Sequence, residues 1–360
     1  MTDLSELLIR CEPSVASLDV ATTLPPEVFV DPAWFDAERK VAHAGWVAVA
    51  RSVDVAERGA FVCAEVFGEP VIVVRARDGV LRALSNVCRH RSMVMLEGSG
   101  VASALQCPYH LWTYRLDGRL GAAPSMEAAT GFEVGEVCLP EFAVVEWHGW
   151  VLVNIDRTAV DPAVAMPTLD ALLGEERVGE MVSVATISSP ADWNWKVSVE
   201  NFLESYHHRG VHPATLDATF PGHRSFASDP SGEPWAAVDH VSTANGAEPF
   251  IAITVFPTLV FAVVRGVGLT WFRLEPVSEL ASALTIDVLV LPEFAHDAAL
   301  GEMLVSSTRA INDEDVPINQ RTMVGLRSRF AAQGRISNLE AATWHFRRWL
   351  VESVRQTTGR

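Results

Sequence analysis

Cys88-Arg-His90 is followed, after sixteen intervening residues, by Cys107-Pro-Tyr-His110, giving a Cys-x-His and a Cys-x-x-His pair. A Rieske 2Fe–2S centre needs two thiolates on one iron and two imidazoles on the other. Two loops, each carrying one Cys and one His, meet that need because neighbouring ligands in a loop reach different irons. Soft thiolates suit the buried ferric iron, and neutral imidazoles raise the reduction potential. A structural Cys₂His₂ zinc site is the competing reading. One ion must then be chelated by both members of a pair, which favours spacings of two or more residues, and Cys-x-His is tight for that. The pattern therefore predicts a 2Fe–2S cluster on Cys88, His90, Cys107 and His110.

A second group of reactive side chains lies in Asp192-Trp-Asn-Trp-Lys-Val-Ser-Val-Glu-Asn-Phe-Leu-Glu-Ser-Tyr-His-His-Arg-Gly-Val-His-Pro213. His207 and His212 are five apart, about 140° out of register on a helix. Gly210 and Pro213 resolve this if the helix ends near His208 and the chain turns back to present His212. Two histidines and one carboxylate with open positions suit Fe(II) and oxygen. The carboxylate must come from elsewhere. Asp315 is the first choice, with Asp313 and Glu314 as rivals in Ile311-Asn-Asp-Glu-Asp-Val-Pro-Ile-Asn-Gln. Pro317 is expected to kink that helix, since it removes a hydrogen bond and crowds the carbonyl of Asp313. Asn201 and Tyr206 are expected near the iron and His208 in the pocket wall. Trp193 and Trp195 are expected to anchor the helix in the core.

The elements that position these groups fall into two textures. From Trp46 to about Asp156 short β-like runs alternate with turns such as Arg77-Asp-Gly and Leu116-Asp-Gly, a compact all-β unit. Beyond Glu180, the strand-like Phe250-Ile-Ala-Ile-Thr-Val-Phe and Leu284-Thr-Ile-Asp-Val-Leu-Val-Leu precede helical stretches at 296–331 and 338–355. The fold class is α+β: an all-β iron–sulfur domain, then a helix-grip domain with an antiparallel sheet covered by helices. The boundaries expected are 1–44 for a helical segment packing on the catalytic domain, 45–157 for the cluster domain and 158–360 for the catalytic domain.

The 360 residues carry 45 acidic and 28 basic side chains, a net charge of −17. Such a chain repels phosphate backbones and anionic bilayers, so neither nucleic acid nor membrane is an expected partner. No apolar run is long enough to span a bilayer, and the acidic start does not read as a signal peptide. A cytoplasmic location is expected. Five scattered cysteines do not form a disulfide framework, and Cys11, Cys63 and Cys138 read as ordinary buried thiols.

On these residues the chain resembles the oxygenase (alpha) subunit of the Rieske non-haem iron oxygenases. The motifs carrying the resemblance are Asn86-Val-Cys-Arg-His-Arg, Cys107-Pro-Tyr-His-Leu-Trp-Thr-Tyr-Arg-Leu-Asp-Gly-Arg-Leu and Glu200-Asn-Phe-Leu-Glu-Ser-Tyr-His…His212-Pro. Leu111 departs from the pattern, which has a small residue there, usually Gly. Met93 and Tyr109 stand where high-potential respiratory Rieske proteins carry a disulfide, so the resemblance is to the lower-potential class. It implies mononuclear iron on His207, His212 and Asp315. Glu204 falls at the carboxylate linking the cluster of one subunit to the iron of its neighbour, in a homotrimer. It also implies O2 as co-substrate and electrons from NAD(P)H through a separate reductase or ferredoxin, since this chain has no Gly-x-Gly-x-x-Gly fingerprint. The motif is similar to the branch acting on betaines, carnitine or choline, where hydroxylation of an N-methyl group releases formaldehyde. Trp235, Phe256, Phe261, Trp271 and Phe272 are candidates for an aromatic cage around a cationic head group. Aromatic-ring hydroxylation is the alternative. A Rieske electron carrier would leave some 200 residues and the second set unexplained, and a zinc hydrolase would leave the cluster without a purpose.

Overall fold

The computed structural model describes residues 3–244 and 248–359. The chain divides into two units, Ala42–Asp161 and Met1–Val41 with Pro162–Arg360.

In the first unit β1 (Val47–Arg51), β2 (Ala60–Val66), β3 (Glu69–Arg75), β4 (Leu81–Ser85), β5 (Ser99–Val101), β9 (Glu141–Trp147) and β10 (Trp150–Asn154) form one sheet in the order β1-β10-β9-β4-β3-β2-β5. A smaller sheet contains β6 (Leu105–Gln106), β7 (Thr113–Tyr114) and β8 (Leu120–Ala122). Alternating apolar residues such as Ile72, Val74 and Leu84 build a core shared with Cys88, Cys107, Trp112 and Tyr114. The two cysteines thus sit inside apolar packing while their loops reach the surface.

The second unit begins with α1 (Leu4–Arg10), α2 (Glu12–Val15) and α3 (Pro32–Ala44), and resumes at α4 (Pro162–Ala165) and α5 (Pro167–Glu175). Its sheet is antiparallel in the order β11-β17-β16-β15-β14-β13-β12. The strands are β11 (Val182–Ser189), β12 (Phe226–Ser228), β13 (Trp235–His240), β14 (Phe250–Val255), β15 (Leu259–Val264), β16 (Gly268–Ser278) and β17 (Ala281–Val290). Four helices complete it: α6 (Trp195–Phe202), α7 (His208–Val211), α8 (Ala298–Leu326) and α9 (Ala341–Thr357). α8 packs on β11 and β17, and α9 on β13 and β12.

The helix expected to carry the histidine motif and end near His208 is interrupted. α6 stops at Phe202, and a separate single turn starts at His208. Asn194 caps the start of α6 by accepting from Lys196 N at 3.0 Å. The far end is held by α9: Thr343 Oγ1 donates to the Leu203 carbonyl, and Arg347 makes a two-pronged contact with Glu200 at 2.9 and 2.8 Å. The same helix is tied to α3 by a buried pair, Lys196 Nζ and Glu38 Oε1 at 2.7 Å. Indole N–H groups of Trp34 and Trp195 also donate to Glu38. Burial pushes Glu38 up and Lys196 down, each towards its neutral form, and the mutual attraction opposes both shifts. Removing one partner of such a pair costs about 3–5 kcal/mol, so α6 has a fixed base.

α8 is one continuous helix with Pro317, which has no backbone N–H to donate, in its interior. Among the described residues no helix is long and apolar enough to cross a membrane.

Candidate metal centres and cavity

The two cluster loops share one backbone design. In the first, Ser92 N donates to the Cys88 carbonyl at 3.0 Å and Cys88 N to the Met93 carbonyl at 2.9 Å. In the second, Leu111 N donates to the Cys107 carbonyl at 3.0 Å and Cys107 N to the Trp112 carbonyl at 2.8 Å. Each turn closes on a left-handed residue, Ser92 at φ +55° and Leu111 at φ +59°. That backbone suits Gly best, which gives the departure at Leu111 a physical meaning. Asn86 secures the first loop by accepting from Met95 N and Leu96 N and donating to the Leu96 carbonyl.

These turns bury both sulfurs and leave both imidazoles outward. Cys88 and Cys107 are 2% exposed, and the rings of His90 and His110 are 4.7 Å apart. Trp112 stacks on His90 at 4.8 Å with planes 6° apart. Tyr114 Oη lies 3.4 Å from Cys88 Sγ and accepts from Arg89 N at 3.0 Å, so its own proton is free for the sulfur. Both cysteines are free thiols. Two buried thiolates, one with a hydroxyl donor, and two converging imidazoles fit a Rieske cluster's donor set. Of the other cysteines, Cys11 is buried and pushed up to about 12, whereas Cys138 is exposed rather than buried as expected.

In the second unit His207, His212 and Asp315 each offer a ligand atom within 4.8 Å of the others. Asp315 Oδ1 is 3.1 Å from His212 Nε2 and 3.8 Å from His207 Nε2. Two atoms bound at right angles about 2.1 Å from one metal are about 3 Å apart, so this spacing fits a single ion. Both imidazoles are oriented from behind. His207 Nδ1 donates to Glu204 Oε1 at 2.5 Å, and His212 Nδ1 to Glu314 Oε2 at 2.6 Å, which also accepts from Thr215 Oγ1. Such bonds keep each Nε2 lone pair for metal. Burial works against a charge on His212, but Asp315 and Glu314 outweigh it and hold its pKa up.

Of the three acidic residues considered, Asp315 is the one whose carboxylate stands beside both imidazole Nε2 atoms. Glu314 is the carboxylate behind His212 rather than a rival ligand, and Asp313 is exposed on the outer side of α8. Asn201 Nδ2 donates to Asp315 Oδ1 at 3.2 Å. Glu204 also accepts from Tyr206 N and His207 N, which closes the tight turn between α6 and α7. Tyr206 itself is 64% exposed and is not among the residues lining the cavity, contrary to expectation. His208 lines the cavity as expected, and Gly222 lets the returning chain pass it. A Cβ there would stand 2.1 Å from the Ser205 carbonyl oxygen.

The three ligands open on a cavity of about 580 Å³. The sheet face towards it carries Ala252, Val260, Ala262, Thr270, Phe272 and Leu274. Register explains this: Ala252 pairs with Ala262, Ala262 with Thr270, and Val260 with Phe272. Strand parity then corrects the aromatic set. Phe261 pairs with Trp271 on the opposite face, Trp235 pairs with Val255 there, and Phe256 packs on Phe346 and Trp349 of α9. Of the five aromatics, Phe272 alone faces the cavity. The sequence reading missed His240, Phe250 and Phe220. His240 stacks between His208 and Phe250, and burial pushes His240 down to about 3 and His208 to about 4. His240 pairs with Phe250, and Phe250 with Val264, along the same parity as Ala252, so strand parity groups both with the cavity face once that face is known, whereas Phe220 lies outside the strands and carries no such signal.

The profile of the Rieske [2Fe-2S] domain matches residues 45–143, and that of the ring hydroxylating alpha subunit (catalytic domain) matches residues 178–356. The chain belongs to the Rieske non-haem iron oxygenase alpha subunits. It is 34% identical over 222 residues to the carnitine monooxygenase oxygenase subunit of Escherichia coli K12, covering 61% of this chain and 59% of that protein. The match therefore spans about three fifths of that relative. It is 24% identical over 385 residues to the chloroplastic choline monooxygenase of Beta vulgaris, covering 98% of this chain and 81% of the other. The crystal structure of the quaternary ammonium Rieske monooxygenase CntA with L-carnitine superposes with a TM-score of 0.83 at 26% identity, covering 94% and 97%. Naphthalene 1,2-dioxygenase from Rhodococcus sp. shares the fold, with a TM-score of 0.80 at 19% identity over 97% and 98%.

Proposed function

We propose that this Rieske oxygenase subunit is the terminal component of a multicomponent system that hydroxylates a small organic substrate with O2. Electrons come from NAD(P)H through a separate flavin/iron–sulfur reductase or ferredoxin. One observation carries the reading: a Cys₂His₂ cluster set and a two-histidine, one-carboxylate set occur in one chain, the latter opening on a cavity. Iron bound by His207, His212 and Asp315 supplies the oxygen chemistry.

The chain's own residues orient and enclose. Glu204 and Glu314 fix the two imidazoles, Asn201 holds Asp315, and the apolar walls keep water from the reacting carbon. Similarity to carnitine and choline monooxygenase proteins favours attack on an N-methyl group, with formaldehyde released. Ring hydroxylation is the second reading, favoured by the shared fold with naphthalene dioxygenase. A cytoplasmic homotrimer is part of the proposal. In it Glu204 lies on the electron route from the cluster of a neighbouring copy, entered through the cluster histidine His110.

Metal analysis with a coupled turnover assay tests it. About three irons per chain and hydroxylated product support the proposal, and two irons would reject it. A ring diol without formaldehyde would sink the N-methyl reading.

A further inference from the structure

We propose that the substrate is an elongated apolar molecule without an anionic group, neutral or singly cationic, and not a carboxylated betaine. The inference rests on the oxygenase reading, in that the cavity beside the iron ligands is taken as the substrate site.

Length comes from α8. Leu300, Leu304, Thr308, Ile311 and Asp315 all face the cavity, at the three- and four-residue steps that keep one stripe of a helix in line. From Leu300 to Asp315 the axis rises about 22 Å, at 1.5 Å per residue. The cavity is therefore a channel, with the metal ligands towards one end and Leu300 with the exposed Met303 at the other. Ala252 and Ala262, a cross-strand pair of small side chains, widen the opposite wall where larger residues would close it.

Charge comes from what the walls offer. Among the described residues lining the channel there is no Lys or Arg. The charged side chains are acidic: Glu204, Asp315 and the exposed Glu248. Glu204 and Asp315 are already engaged by the histidines. Away from the metal ligands, a carboxylate seated along these walls would lose its hydration and meet no cationic side chain. Glycine betaine and carnitine each carry a carboxylate, so the substrate of this chain differs from theirs at that group. A dimethylamino or hydroxyl head on a long apolar body meets both constraints.

Equilibrium binding decides it, by calorimetry on the purified full chain before and after iron loading. The probes are 1-octanol, N,N-dimethyloctylamine, octanoate and glycine betaine, each below its micelle-forming concentration. The expected result is at least about tenfold tighter binding of the alcohol and the amine than of octanoate or glycine betaine. The variant Leu304→Arg, which supplies a cation about a quarter of the way along the channel from its Leu300 end, is expected to reverse the order in favour of octanoate. Thr308→Lys makes the same test should Leu304→Arg fail to fold. Octanoate binding as tightly as octanol, glycine betaine binding more tightly than octanol, or no probe binding at all would each overturn the proposal. Tight binding of the amine with no product in the reductase-coupled assay would instead reject the oxygenase reading and leave the channel's selectivity standing.

Discussion

Cys88, His90, Cys107 and His110 come from two loops of one design, closed by the same pair of backbone hydrogen bonds. His212 and Asp315 are 103 positions apart and meet only because α8 crosses the turn that ends α7. In the first region the ligands are placed by local turns and a buried core. In the second they are placed by tertiary packing, with a carboxylate behind each imidazole. Local geometry of the first kind is written in spacing, whereas the second kind is written in contacts that spacing does not reveal.

Substitutions that remove one set should therefore leave the other. Cys107→Ser is expected to abolish the cluster's visible absorption and to leave about one iron per chain. Asp315→Ala is expected to keep the absorption and about two irons, with product formation lost. Iron content and the spectrum of each variant check this, and loss of both metals from either variant would break the comparison. A smaller effect separates ligand from support. Glu314→Ala keeps all three ligands but removes the acceptor shared by His212 Nδ1 and Thr215 Oγ1, so mononuclear iron affinity is expected to fall about 10–100-fold with the cluster intact. A titration with Fe(II) under anaerobic conditions measures it.

Buried histidines give the second region a pH dependence of its own. His208 and His240 titrate near 6.5 when unfolded but are pushed to about 4 and 3, first by burial and then by a neighbouring imidazole, His207 beside His208 and His208 beside His240. The unfolded chain then binds more protons below pH 6.5, so stability is complete above that value and falls as the pH drops towards 4. Each histidine contributes about 1 kcal/mol of loss between pH 6 and 5. Denaturant midpoints of metal-free protein, compared with His240→Phe, read the slope, and an unchanged slope would contradict it.

The same contrast explains which residues were legible. The four cluster ligands follow from type and spacing alone. His207 and His212 were visible as a pair, but not the break after Phe202 that separates their turn from α6. Nothing local marks Glu204 as a turn-closing group, and that role decides where His207 points. The cage aromatics failed for a different reason. A strand shows alternate residues to opposite faces, and Phe261 and Trp271 fall on the wrong parity for the cavity while Phe272 falls on the right one. Parity was readable in the sequence; which face the iron would occupy was not.

Within the cluster loops two finer effects remain. Tyr114 Oη donates to the Cys88 sulfur, a bond that strengthens as the cluster gains an electron. Tyr114→Phe is expected to lower the reduction potential by about 59 mV, a tenfold change for one electron. Redox titration followed by the cluster's spectrum checks both sign and size. An unchanged potential would mean the hydroxyl serves only Arg89 N.

The smallest effect concerns the residue that departs from the family pattern. Leu111 holds a left-handed φ of +59°, which costs a side chain with a Cβ about 1–2 kcal/mol. Leu111 is 52% exposed, so little packing offsets that cost. Gly removes the strain but frees the unfolded chain, at about 0.5–1 kcal/mol. Leu111→Gly is thus expected to stabilise the cluster domain by about 0.5 kcal/mol, and Leu111→Asn, which tolerates this backbone, by a similar amount. The temperature at which the cluster's colour bleaches measures both. Ser92 occupies the equivalent turn at φ +55°, so Ser92→Gly should give a gain of the same sign if the two loops are energetically alike. A gain at Leu111 and a loss at Ser92 would show that the loops share their backbone and not their balance of strain and side-chain contacts.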